Sequence, residues 1–145
     1  YNPDKQPEIA EDLVGHISAN LVITQKQQFT KDQYYDQLSR SLVTLSTSLH
    51  ENLGISVMEG CLTGSLPCVP DRASYSEMYL DCFKYPSEWT ASWEQYQNHR
   101  NDLVGFINNL VNNYSQFATN QLVEQNQKLI DHYLNCNIML ERLVR

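Results

Sequence analysis

Apolar residues return every three or four positions along most of this chain, so that it reads as helix almost throughout. From Glu8 onward Ile9, Leu13, Ile17 and Leu21 recur at four-residue steps, with Val14 and Thr24 beside them, and Pro7 suits the first turn of that helix. A second start stands at Thr30, where Thr30-Lys31-Asp32-Gln33 has the form of a capping box, and behind it Leu38, Leu42, Leu45, Leu49 and Leu53 keep the spacing of a buried seam. Gly54 weakens this helix, and the stretch 60–70 (GCLTGSLPCVP) reads as an irregular connection. Ser74, with Glu77 three residues later, opens a short helix that stops before Pro86. From Ser87, the residues Trp89, Trp93, Tyr96, Arg100, Leu103, Ile107, Leu110, Tyr114 and Phe117 hold a near-heptad rhythm. It slips after Phe117 and resumes in a new phase at Leu129, Tyr133, Cys136, Leu140 and Leu143.

The slip decides the expected architecture. One helix from Ser87 to Leu143 would be about 85 Å long, more than the two early helices can cover. Ala118-Thr119-Asn120-Gln121 combines poor helix formers with capping capacity, so a turn there is preferred to a stutter within one continuous helix. The predicted fold is therefore all-α: a single-domain, disulfide-bonded four-helix bundle. Its helices run over about 8–28, 31–57, 87–117 and 120–144, with an additional short helix at about 74–84 in the middle connection.

Length and charge narrow the class. The 145 residues suit one domain, and a chain of this size buries roughly 70% of its unfolded surface. With 10 Lys+Arg against 17 Asp+Glu and a net charge of −7, it lacks the clustered cations that hold nucleic acid or an anionic membrane. The apolar stretches are too short for membrane insertion, and 10% aromatic residues supply too much burial drive for a disordered chain. Asn and Gln together number 25, and these amides are expected on the surface where Lys and Glu usually stand.

Cys61, Cys68, Cys82 and Cys136 are even in number and follow no metal-binding spacing, so two disulfides in an oxidising compartment are expected, the alternative being free buried thiols in a cytosolic bundle. Cys61 with Cys68 and Cys82 with Cys136 is the simpler pairing, and Cys61 with Cys82 and Cys68 with Cys136 the principal alternative. Tyr1 in place of Met and the sequon Asn113-Tyr114-Ser115 fit a processed, secreted or extracellular glycoprotein. His16, His50, His99 and His132 project away from their apolar stripes, and no ExxH or HExxH pair accompanies them, so no metal is expected. No catalytic residue is assigned either, since GxSxG, phosphate-loop and GxGxxG patterns are missing.

What rises above background is aromatic clustering between Tyr75 and Tyr96. Tyr79, Phe83, Trp89, Trp93 and Tyr96 are the candidate ligand or partner surface, against the plainer reading that these rings cap one end of the core. The expected function is non-enzymatic and without a cofactor: protein recognition or self-assembly by a secreted helical domain. The alternative is a carrier of a small apolar ligand in a cavity between helices, with the segment 74–85 as its lid.

Overall fold

A computed structural model describes residues 2–134 and shows a mixed α/β fold. In chain order the elements are α1 (Pro7–Leu13), α2 (Lys31–Ser39), β1 (Val43–Leu45), α3 (Ile55–Leu62), β2 (Leu66–Pro70), α4 (Tyr75–Met78), β3 (Lys84–Tyr85), α5 (Trp93–Asn112), α6 (Tyr114–Thr119) and α7 (Gln121–His132). The strands form a parallel three-stranded sheet in the order β1-β2-β3, with Val43 opposite Leu66 and Val69 opposite Lys84. Parallel neighbours need a long return path; α3 provides it between β1 and β2, and α4 with a following 3-10 turn between β2 and β3.

This corrects the all-α bundle. The helix expected over 31–57 stops at Ser39 because Ser39–Ser48 (SRSLVTLSTS) is dense in Ser, Thr and Val. Their side chains lose rotamer freedom in a helix or compete for its backbone bonds. Ser39 Oγ and Ser41 Oγ each turn back to a helical carbonyl, Asp36 O and Gln37 O, at 2.8 Å. Of the expected seam, Leu38 is on a helix, Leu45 is on β1, and Leu42 and Leu53 are exposed.

The connection 60–70 is likewise the end of α3 followed by the central strand, buried at every position of β2. Two prolines in a central strand look prohibitive, yet the pairing accommodates both. Leu66 N donates to Leu42 O and Cys68 O accepts from Ser46 N, so residues 66 and 68 turn their backbone to β1. Residues 67 and 69 turn to β3, which begins only opposite Val69, so Pro67 has no donor to lose. Pro70 faces past the end of β1, while Asp71 N reaches Tyr85 O at 2.8 Å. Proline also holds Leu66 and Val69 extended.

The disulfide framework is corrected too. Cys61, Cys68 and Cys82 are free thiols; Cys136 lies outside the described residues. Cys61 on α3 and Cys68 on β2 are both buried in the core. Without that framework the case built on it for an oxidising compartment falls away.

The core gathers α1, α3, the sheet, α5 and α7. Ile9 and Leu13 of α1, Leu66 and Val69 of β2, Leu103 and Leu110 of α5 and Leu129 of α7 are all at or near zero exposure. The helical run expected over 8–28 ends at Leu13; Gly15 follows and the chain continues in turns and extended segments to Thr30. Ser92 caps α5, its Oγ accepting from Gln95 N, and the helical C-terminal region breaks at Asn113 and again at Asn120.

Candidate ligand cleft at the carboxyl edge of the sheet

Open parallel sheets bind ligands outside the carboxyl ends of their strands, where the loops diverge. In this chain those loops are the segment 46–54 after β1, Asp71–Ser74 after β2, and the turn after β3 that ends at Thr90.

Arg72 holds the three together. Its Nε donates to Ser48 O at 2.9 Å, Nη1 to Ser87 O at 2.9 Å, and Nη2 to Thr47 O, Thr90 O and Thr90 Oγ1 at 3.2, 3.3 and 2.9 Å. No carboxylate appears among these partners, so carbonyl dipoles carry the charge, and burial pulls its pKa below the ordinary guanidinium value. Tyr85 OH donates to Ser46 O at 2.7 Å and Tyr75 OH to Ser46 Oγ at 2.9 Å, fixing the end of β1. Burial pushes Tyr75 up to about 12. Gly54 then turns the chain into α3 with φ 67; a Cβ there would stand 2.8 Å from the Tyr75 ring, so both its conformation and its neighbour demand glycine.

A cleft of about 770 Å³ runs along β1 from this edge, within the usual size for small-molecule sites. Its walls mix apolar and polar groups: Ile17, Leu21 and Val22, Leu38 of α2, Leu42, Val43 and Leu45 of β1 and its approach, and Ile107 and Val111 of α5 supply apolar surface, with Gln25, Gln37, Arg40 and Thr44 among them. Lys5, Ser46, Thr47, Ser48, Glu51, Ser56 and Tyr75 make its polar end. Leu42 and Val22 stay 42% exposed, so part of the wall is open to solvent. On the α2 side Tyr34 and Tyr35 both donate to the Glu59 carboxylate, at 3.3 and 2.9 Å. The pKa values of both rise, by burial chiefly for Tyr34 and by the bond to Glu59 chiefly for Tyr35.

The aromatic candidates do not share one surface. Tyr79, Phe83 and Tyr96 are buried, Trp89 is half-buried between Tyr85 and His99, with centroids at 6.3 and 6.1 Å, and Trp93 is 39% exposed. Tyr96 OH and Arg100 Nε both donate to the Asp12 carboxylate at 2.7 Å, clasping α1 to α5. Partial burial works to raise Asp12, but those two hydrogen bonds and the charges of Arg100 and His16 leave it below the ordinary carboxylate value. His16, His50 and His132 are exposed and His99 half-buried; no group of metal ligands forms among the described residues. Asn113 is exposed at the α5–α6 break, its Nδ2 donating to Asn109 O at 2.9 Å.

Residues of the cleft carried no motif in the sequence. The apolar spacing predicts helix over 17–25 and a helical seam over 42–48, which hides their alignment across a gap.

No protein-family model, curated protein or solved structure matches the chain. The class is defined by fold and site alone: an α/β unit with a small parallel sheet and a cleft beside its first strand.

Proposed function

We propose that this chain binds a small amphipathic molecule in the cleft beside β1. The carrying observation is that one cleft beside β1 joins apolar residues to the polar and charged groups just past the carboxyl end of that strand. The apolar body lies against Leu42, Val43, Ile107 and Val111; the head group meets Ser46–Ser48, Glu51 and Ser56. This develops the carrier reading, with the site moved from a space between helices to the edge of a sheet.

Partial exposure of Leu42 makes it the position to test, since a larger side chain there fills the cleft without overpacking the core. Native mass spectrometry of the chain from its natural source is expected to show an added small-molecule mass. The Leu42→Trp chain, made in the same source, is expected to lose that mass at an unchanged melting temperature. A parent without added mass, or a Leu42→Trp chain that keeps it, would defeat the proposal.

A further inference from the structure

Residues 2–6 cross the carboxyl end of β1 and occupy acceptors at and beside the polar end. Gln6 is 3% exposed, and its Nε2 donates to Thr47 O and Thr90 O, each at 2.7 Å. Lys5 Nζ pairs with the Glu51 carboxylate. The backbone joins in: Thr47 Oγ1 donates to Lys5 O at 2.8 Å and Leu49 N to Asp4 O at 2.8 Å. Lys5, Thr47 and Glu51 all line the cleft.

Backbone geometry singles out the same spot. Gln6 and Ala73 have φ of 48 and 50, a left-handed conformation unusual for side-chain-bearing residues, which persists where the surroundings enforce it. Ala73 follows Arg72, which shares Thr47 O and Thr90 O with Gln6. Two left-handed residues thus flank one acceptor cluster, Gln6 as the cap that closes the 3-10 turn Pro3–Lys5.

We infer that segment 2–6 is a displaceable stand-in for the ligand's head group, and that this head group is a basic one bearing hydrogen-bond donors. The inference rests on the cleft reading and deepens it. An ammonium facing Glu51 and amide or hydroxyl donors facing Thr47 O and Thr90 O reproduce what Lys5 and Gln6 supply. The ligand and the segment therefore compete, and the cleft opens fully only when the segment lifts.

The test uses the full chain carrying Lys5→Ala and Gln6→Gly; glycine keeps the left-handed backbone and loses only the side chain. The probe is the pentapeptide Asn-Pro-Asp-Lys-Gln, blocked at both ends and titrated calorimetrically. Hydrogen exchange is followed at the Leu49 amide, which reports the segment, and at Leu103, which reports the core. Expected are at least tenfold faster exchange at Leu49 with Leu103 unchanged, and at least tenfold tighter peptide binding than to the parent. Adding Glu51→Gln is expected to abolish that binding. Equal binding to both chains, binding to neither, or undiminished protection at Leu49 overturns the inference. Should Leu103 loosen in the double variant, Glu51→Gln alone in the parent decides by the same tenfold criterion at Leu49. Neither readout uses the cleft's apolar wall, so this inference and the cleft reading fail separately.

Discussion

Gln125 is fully buried on α7, its Oε1 accepting from Leu80 N at 2.6 Å and its Nε2 donating to Met78 O at 2.8 Å. It serves the backbone where α4 ends and no strand neighbour takes over. Gln125→Leu would leave a buried donor and acceptor unpaired, so a loss of about 2–3 kcal/mol is expected in urea unfolding. A loss below about 0.5 kcal/mol, the scale of surface substitutions, would count against this role. Sequence gave no warning of it. Among so many Asn and Gln, Gln125 carries the same letter as the solvated ones; only tertiary placement tells it apart. Apolar period is a better guide at this scale, because Ile9, Leu13, Leu103, Ile107 and Leu129 have few places to go but inward, and all are buried.

Gly60 shows the same gap at the level of elements. It read as loop punctuation, but it lies inside α3, where a Cβ would overlap Thr44 Oγ1 on β1. Gly60→Ala should gain about 1 kcal/mol in helix propensity and lose about 1–3 kcal/mol to overpacking. Net destabilisation is therefore expected, partly relieved in the Gly60→Ala, Thr44→Ala double variant. Thermal unfolding of the single and double variants checks both; a single variant as stable as the parent would show that α3 can slide off the sheet. Capping patterns were legible only in part. The box at Thr30 forms with both of its bonds, whereas at Ser74 the hydroxyl goes to Glu51 O at 2.7 Å and caps nothing. The pattern is identical; the competing partner is remote in sequence. Strands escaped notice because β1 and β3 are only three and two residues long and β2 holds two prolines, too little for a period of two to register.

At the scale of the whole molecule, free thiols stand at Cys61, Cys68 and Cys82, the cysteines among the described residues, where the cysteine count suggested cross-links. Cys61 and Cys68 are buried, and burial pushes both thiols far above their ordinary pKa, with a backbone hydrogen bond opposing it at Cys61. Iodoacetamide at pH 8 is therefore expected to leave both unmodified in the native chain and to label both in denaturant, as read by peptide mapping. Native labelling at either position, or recovery of a peptide joining them, would contradict this core. Contacts of the first helix carry one more consequence, for the order of assembly. Asp12 meets Tyr96 and Arg100, Gln6 meets Thr90, and Ser18 meets Asn108, across sequence separations of 84, 88, 84 and 90 residues. Such closures are entropically late. On a ribosome α1 emerges well before its docking ground on α5 is made, so the apolar face of Ile9 and Leu13 stays uncovered while the intervening residues are synthesised. Of the helices described, the first to be translated is among the last to be seated.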